Sequence, residues 1–258
     1  LKLEGALAAT GLSVAGLRCL DVGQSTGGFT DCLLQAGAAQ VIGVDVGQGQ
    51  LHERLRADPR VIAVEGLNAR HLTPQALQEG CEEALSVREE LEPDDNDTQP
   101  EAPYAWMRNG GMIDDEYDDS ADAKEHEIEA FKAERATKAK DRAEGRLATV
   151  RKRLPGREKD DITPAFDLVV GDLSFISLTL VLAALVPLLK PEGRLLMLVK
   201  PQFELQPGQV GKGGIVRDAS LYAEVEQRIR ACCADIGLQV IGWHDSPIAG
   251  GDGNREFF

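Results

Sequence analysis

The stretch CLDVGQSTGGFTD, residues 19–31, joins an apolar run to a loop rich in glycine. Residues 17–22 predict a buried strand, and residues 28–37 predict a helix with its large apolar side chains on one face. Glycines between a strand and a helix allow the backbone to approach a ligand closely, and the N-terminus of the helix presents unpaired N–H groups to it. The stretch therefore predicts a strand–loop–helix unit that binds a ligand.

The segments on either side continue this alternation of strands and helices. Helices are predicted over residues 178–189 and 219–236. Strands are predicted over residues 40–46, 61–65, 166–170, 194–199 and 238–243, and the final GNREFF is typical of the start of one more. This order predicts an α/β fold of the Rossmann-like type, with a mostly parallel sheet of seven strands and helices on both faces.

A charged segment interrupts the pattern. Residues 82–161 carry 24 acidic and 14 basic side chains, and they account for most of the net charge of −15 on the 258-residue chain. We interpret them as an insertion, partly disordered or helical, between a first half of the domain (1–81) and a second half (162–258). The insertion is expected to be dispensable for folding, and its basic tract, Lys138 to Lys159, is a candidate contact for RNA phosphates.

Residues that follow the second and third strands indicate which ligand is bound. Asp45 ends the second strand, where a carboxylate can accept both hydroxyls of an adenosine ribose. The glycine spacing is G-x-x-x-G-G rather than the G-x-G-x-x-G of dinucleotide-binding folds, which favours S-adenosylmethionine, a ligand without a pyrophosphate, over NAD. Asn68 follows the third strand and either reaches the adenine edge or caps a turn.

Two charged residues are predicted at the same edge of the sheet. Asp172 ends the fourth strand and Lys200 ends the fifth, so both are expected beside the ligand crevice. A lysine that closes an apolar strand needs a partner or must lose its charge, because burying an ammonium group is costly. The pair is therefore either a structural salt bridge or part of a catalytic site. The glycine-rich loop Gly211 to Arg217 could bind RNA phosphate or be merely mobile.

The composition excludes several classes of protein. The five cysteines form no C-x-x-C pair and the four histidines show no ligand spacing, so neither a disulfide scaffold nor a metal site is predicted. We expect a cytoplasmic protein without a signal peptide or a membrane partner. The most apolar stretch, Ile176 to Leu189, is too short to cross a bilayer. The first residue is Leu1 rather than Met, which suggests a fragment.

Seven blocks in order resemble one family. They are LKLEGAL (1–7), CLDVGQSTGGFTD (19–31), GVDVGQGQL (43–51), DLVVGDLSFISL (167–178), LVKPQFE (198–204), VGKGGIVRD (210–218) and GNREF (253–257). They resemble the TlyA family of FtsJ-like rRNA 2′-O-methyltransferases, many of which are named haemolysin. Members of that family usually begin with an S4-type RNA-binding domain, which we expect to be absent here, and the stretch 82–161 is one that the family pattern does not need.

The resemblance implies a function and a set of site residues. It implies transfer of a methyl group from S-adenosylmethionine to a ribose 2′-hydroxyl of rRNA, with cytidine as the acceptor. It implies a catalytic tetrad of Lys2, Asp172, Lys200 and Glu256, in which Lys200 is the general base and Lys2 the neighbouring cation. The expected cofactor site comprises Asp21, Gly23, Ser25, Thr26, Gly27, Gly28, Phe29, Asp45, Val46, Asn68 and Asp172.

Two other functions compete with this interpretation. The family name suggests a haemolysin or cytotoxin, but no segment is long and apolar enough to form a membrane helix. A non-catalytic RNA-binding factor of ribosome assembly is the second, and the complete tetrad argues against it. Amino-methylating enzymes of similar fold carry Asn/Asp-Pro-Pro-Tyr/Phe after the fourth strand, whereas this chain has Asp-Leu-Ser-Phe at 172–175, which favours oxygen as the acceptor.

Overall fold

A computed structural model describes residues 1–91, 161–251 and 253–258, with only the backbone of residues 89–91. The described residues form one compact unit. Most of the predicted insertion, including the basic tract Lys138 to Lys159, lies outside the described residues. The predicted start of the insertion at residue 82 falls within a helix, Pro74–Leu91, which packs against the third strand.

The described residues contain five strands: β1 (Arg18–Val22), β2 (Gln40–Asp45), β3 (Val61–Glu65), β4 (Phe166–Gly171) and β5 (Leu189–Met197). They form one sheet in the order β3-β2-β1-β4-β5, and every neighbouring pair is parallel. The α/β class and the parallel sheet predicted from the sequence are thus confirmed. Strand order reverses between β1 and β4, so a crevice opens at their carboxyl ends, the usual ligand site of such sheets.

Seven α-helices occur in the described residues: α1 (Lys2–Thr10), α2 (Gly28–Gln35), α3 (Glu53–Arg56), α4 (Pro74–Leu91), α5 (Leu182–Leu185), α6 (Pro201–Glu204) and α7 (Ser220–Asp235). Short 3₁₀ turns occupy Ala69–His71, Leu178–Leu180, Val186–Leu188 and Pro207–Gln209. The predicted helix over 178–189 is therefore a broken series of turns, and Pro187 lies inside it, where it removes a backbone donor. Helices α1, α3, α4 and α6 were not predicted.

Apolar side chains fill both faces of the sheet. One cluster contains Leu20 and Ile42, and the other contains their strand neighbours Cys19 and Val41. Successive side chains of a strand point to opposite faces, so both faces are covered by helices, which is why these strands are apolar runs rather than alternating patterns.

The predicted number of strands is larger than the observed one: the described residues contain five strands rather than seven. Residues 238–243 form no ladder, although Leu238, Val240 and Trp243 pack against the core. Their alternation reflects one-sided burial, which packing against α7 satisfies without strand pairing. The last residues pair only locally: Phe257 forms single antiparallel bridges with Val199 and with Asp245.

Candidate active site

The glycine-rich loop after β1 lies against the end of β4. Gly23 has a φ of 80°, and a Cβ there would lie 3.0 Å from the carbonyl oxygen of Asp172. Gly27, with a φ of 97°, precedes α2, and a Cβ there would overlap Leu51 and Leu55. Both positions require glycine for their conformation and for close packing. Gly28 has open space around it, so the N-terminus of α2 is accessible.

Asp45 joins the loops after β1 and β2. Its Oδ2 accepts a hydrogen bond from the backbone N–H of Ser25 at 2.8 Å, and its Oδ1 accepts one from Gly47 at 2.7 Å. Ser25 has a φ of 49°, an uncommon value for a non-glycine residue. The carboxylate therefore holds the glycine-rich loop in an unusual conformation at the edge of the crevice.

The remaining predicted cofactor residues differ in their exposure to solvent. Thr26 is exposed and its carbonyl accepts from the N–H of His52 at 3.3 Å; Val46 is also exposed. Phe29 is buried and stacks on Phe258, with ring centroids 6.2 Å apart, so its side chain belongs to the core. Asn68 is exposed, and its Oδ1 accepts from the N–H of Arg70 at 3.0 Å. The turn-capping role considered for Asn68 is therefore present.

Asp21 is a buried carboxylate at the end of β1. Its Oδ2 accepts from the hydroxyl of Thr30 at 2.7 Å, and that hydroxyl accepts from the side-chain amide of Gln24 at 2.9 Å. Its Oδ1 is buried and has no hydrogen-bond partner among the described residues. The pKa of Asp21 is raised to about 7, chiefly by burial and also by the nearby carboxylates of Asp172 and Asp45, against the opposing effect of hydrogen bonds from Thr30. This oxygen lacks the compensation that a buried charge requires.

Lys200 and Asp172 form an ion pair. The Nζ of Lys200 lies 2.5 Å from Oδ1 of Asp172, and it donates a hydrogen bond to the hydroxyl of Ser174 at 2.8 Å. Lys200 lies just beyond β5, which ends at Met197, and it precedes the first residue of α6. Asp172 directly follows β4. The parallel register of β4 and β5 thus brings the two residues together.

Lys2 and Glu256 form a second ion pair, with 2.7 Å between Nζ and Oε2. Glu256 is 2% exposed, so its charge depends on this lysine. The antiparallel bridge between Val199 and Phe257 places the next residue, Lys200, opposite the preceding one, Glu256. One backbone bridge therefore joins the two ion pairs, which bring together all four residues of the predicted tetrad.

Helix α1 carries Lys2 to this place. Leu3 and Ala6 are buried in the second apolar cluster, which fixes the face of the helix. Gly5 permits close approach to Pro247, because a Cβ on Gly5 would come within 2.5 Å of the proline ring. A larger residue at position 5 would displace the helix and its lysine.

Several neighbours of the site were missed by the sequence analysis. Phe175 is 91% exposed, has a φ of 63°, and contacts Phe203 with ring centroids 5.1 Å apart. Asn254 accepts from the N–H of Val216 at 2.9 Å and donates to the carbonyl of Gly214 at 2.8 Å. These bonds anchor the second glycine-rich loop, Gly211 to Arg217, close to Glu256. The aromatic residue in DLSF and the asparagine in GNREF were visible as parts of motifs, but nothing local indicated their contacts.

Comparison with known proteins identifies the family to which the chain belongs. The profile of the FtsJ-like methyltransferase family matches residues 1–258. The chain belongs to that family.

Within the described ranges, no three His, Cys, Asp or Glu side chains are placed to hold a metal ion. None of the helices that the structure describes is long and apolar enough to cross a membrane.

Individual relatives are similar over nearly the whole chain. It is 35% identical over 257 residues to the 16S/23S rRNA (cytidine-2′-O)-methyltransferase TlyA of Mycobacterium tuberculosis, covering 100% of this chain and 64% of that protein. It is 29% identical over 256 residues to hemolysin A of Brachyspira hyodysenteriae, covering 99% and 72%. A solved structure of a protein from Streptococcus thermophilus, described as a hemolysin, superposes with a TM-score of 0.64 at 32% identity, covering 99% of this chain and 62% of that one. The chain thus spans less than two thirds of the mycobacterial protein.

Proposed function

We propose that this member of the FtsJ-like methyltransferase family transfers a methyl group from S-adenosylmethionine to a ribose 2′-hydroxyl of rRNA. The observation that carries the proposal is the pair of ion pairs, Lys200–Asp172 and Lys2–Glu256, joined by one backbone bridge beside the glycine-rich loop. Two cations and two carboxylates at the crevice of a parallel sheet suit a proton transfer next to a bound adenosine cofactor.

The described residues fit S-adenosylmethionine. The buried Oδ1 of Asp21 has no hydrogen-bond partner among the described residues, and a cationic group is the complement that it lacks. Asp45 lies at the end of β2, within the same edge of the sheet, and is suited to ribose hydroxyls. When bound, S-adenosylmethionine supplies a methyl group already activated by its sulfonium charge. The glycine-rich loop, Asp21 and Asp45 would hold it, and Asn68 remains our candidate for a contact with the adenine.

The ion pairs would act on the acceptor hydroxyl. A 2′-hydroxyl is a weak nucleophile, so the site must orient it and remove its proton. Lys200, 11% exposed in its side chain, is our candidate for the base in its neutral form, with Asp172 and Ser174 fixing its position. Lys2, held by Glu256, would supply the second cation of the site and help to position the acceptor ribose.

A pair of aromatic rings, one exposed and one half-buried, supports RNA as the acceptor. Phe175 and Phe203 lie within a few residues of Asp172 and Lys200 in sequence, and their rings are in contact. An aromatic ring that is 91% exposed is costly in water, and unstacked nucleobases of RNA stack on such rings. A cytidine acceptor and a ribosomal substrate are proposed from the mycobacterial relative, whose name specifies both.

Methyl transfer to ribosomal subunits tests the proposal. The chain is incubated with tritiated S-adenosylmethionine and ribosomal subunits that lack the modification, and labelled nucleotides are mapped by resistance of the neighbouring phosphodiester to alkali. Label at a ribose 2′-oxygen, absent with Lys200→Ala, is expected. Label on a base would refute the acceptor, and binding of rRNA without any transfer would favour a non-catalytic assembly factor.

A further inference from the structure

Two loops carry the Lys200–Asp172 pair, and they contact each other both at the surface and in the interior of the protein. The first loop runs from Asp172, after β4, to the 3₁₀ turn Leu178–Leu180; the second consists of Lys200 and α6. On the exposed side the rings of Phe175 and Phe203 meet. A buried contact between the two loops involves Glu204, the last residue of α6, which is 3% exposed.

Glu204 receives hydrogen bonds from the first loop with both of its carboxylate oxygens. Oε1 accepts from the backbone N–H of Leu178 at 2.8 Å, and Oε2 accepts from the hydroxyl of Ser177 at 2.5 Å. Ser177 also accepts from the N–H of Thr179 at 3.2 Å, so the 3₁₀ turn begins at the residue that Glu204 binds. A buried carboxylate with two donors from another loop is a strong and specific tether.

The same residue is held in place from a second direction. The guanidinium of Arg228, on α7, donates to the backbone carbonyl of Glu204 and also contacts Glu224 at 3.2 Å. Burial raises the pKa of Glu204, while the bonds from Ser177 and Leu178 and the charge of Arg228 act against that rise. The end of α6 is therefore fixed both to the loop after β4 and to α7.

We propose that Glu204 is a positioning residue for methyl transfer, which sets the distance between Lys200 and Asp172 by tethering their two loops. Lys200 and Glu204 bracket α6, a single helical turn, so a displacement of one end moves the other. Ser177 lies five residues beyond Asp172 in the same loop, so the contact with Glu204 holds that loop near the ion pair. This inference rests on the proposed function, since it gives Glu204 a role in that reaction.

The role predicts a loss of rate rather than of binding. Among the described residues, the side-chain hydrogen bonds of Glu204 reach neither the loop after β1 nor Asp45, and Asp172 is the one expected cofactor residue on the loop that it holds, so cofactor affinity should depend on Glu204 less than the rate does. Alignment of a base with its hydroxyl is sensitive to small shifts, and a misplacement of about 1 Å costs on the order of 100-fold in rate. Glu204→Gln keeps the shape but removes the charge, so both charge-assisted bonds become weaker neutral ones and the bond with Ser177 must reverse its direction.

The experiment compares Glu204→Gln, Ser177→Ala, the double variant and the control Glu224→Gln. The control makes the same chemical change in a carboxylate that accepts from Arg228 and Gln209, and whose hydrogen bonds among the described residues do not reach the first loop. For each we measure kcat and KM with rRNA, the Kd of S-adenosylmethionine, and the melting temperature. We expect kcat to fall roughly 10- to 100-fold in Glu204→Gln, with KM and Kd changed less than about threefold.

The double variant shows whether Glu204 acts by tethering Ser177 or only contributes to the overall stability of the protein. Because Ser177 and Glu204 act through one contact, the double variant should be no slower than Glu204→Gln by more than about twofold. Multiplicative losses, an unchanged kcat in folded Glu204→Gln, or an equal loss in Glu224→Gln would each overturn the proposal. If Glu204→Gln does not fold, Ser177→Ala decides alone: a lower kcat with unchanged Kd supports the tether, and an unchanged kcat refutes it.

A spectroscopic measurement distinguishes failure of this inference from failure of the proposed function. In protein labelled with ¹³C at lysine Cε, the Lys200 resonance is assigned by its loss in Lys200→Arg. It should shift in Glu204→Gln and remain unchanged in Glu224→Gln. If the wild-type chain transfers no methyl group to rRNA, the proposed reaction fails, yet this shift still supports the tether and its absence still refutes it.

Discussion

Asp21 should make binding of S-adenosylmethionine depend on pH below neutrality. Its pKa is raised to about 7, chiefly by burial, and its Oδ1 has no hydrogen-bond partner among the described residues. A cationic cofactor beside this oxygen stabilises the ionised form, so binding should release a proton and become tighter as pH rises toward 7. The perturbation is therefore pH itself, together with Asp21→Asn.

The magnitude follows from the fraction of Asp21 that is ionised before binding. With a pKa of about 7 this fraction is roughly 3% at about pH 5.5 and half at about pH 7, so the Kd should fall about 15-fold over this interval. The cofactor's own ammonium group remains protonated there, because α-amino groups titrate near pH 8, roughly. Close to one proton should be released per cofactor at about pH 6.

Calorimetry measures both quantities. Titrations at several pH values give Kd, and titrations at one pH in two buffers with different ionisation enthalpies give the number of protons released. Asp21→Asn should flatten the dependence to less than about threefold, because an amide does not titrate, while its oxygen can still accept from Thr30.

The same residue predicts the pH dependence of stability without cofactor. A carboxylate whose pKa is raised in the folded state contributes stability that is present below its ordinary pKa and is lost as pH rises through about 7. Asp21→Asn should therefore lessen the fall in the free energy of unfolding between about pH 4 and about pH 7. A wild-type Kd that is flat over this interval, or a slope that Asp21→Asn retains, would refute our account of the site.

Three further predictions concern the other residues of the crevice. Asp45→Ala should weaken S-adenosylmethionine binding about tenfold or more by calorimetry, since a lost charge-assisted hydrogen bond costs about 1.5–3 kcal/mol; unchanged affinity would remove Asp45 from the site. Lys200→Arg should abolish methyl transfer while leaving cofactor affinity within about twofold, because guanidinium does not lose its proton, and an active variant would show that only charge is needed. Gly5→Val should reduce methyl transfer at least about tenfold by pushing α1 away from Pro247, whereas Ala9→Val, on the exposed face of α1, should not; equal rates in the two would contradict the packing argument.

Local sequence was sufficient for the elements that build the crevice. The apolar runs and glycines predicted β1, α2, β2 and β3 to within one or two residues. These signals are local because a strand buried on both faces must be apolar throughout, and a loop with positive φ values favours glycine. They failed at residues 238–243, where the same alternation reflects packing without a ladder.

Strand ends predicted Asp172 and Lys200 at one edge of the sheet, Lys2 and Glu256 came from the resemblance alone, and only the tertiary structure brings the four together. Lys2 and Glu256 lie near opposite ends of the sequence, and no periodicity pairs them. Their contact depends on the packing of α1 and on the bridge between Val199 and Phe257. Their roles in catalysis stay a prediction.

The sequence by itself determined the class of fold, the family and the residue types at the crevice, because these depend on local burial patterns and on motifs. Tertiary structure decided which charges are paired and which are not. In sequence Asp21 and Glu204 are ordinary acidic residues, but folding leaves one buried oxygen of Asp21 without a hydrogen-bond partner among the described residues and gives both oxygens of Glu204 donors. Desolvation and pairing arise only when distant segments meet, so they are properties of the folded chain.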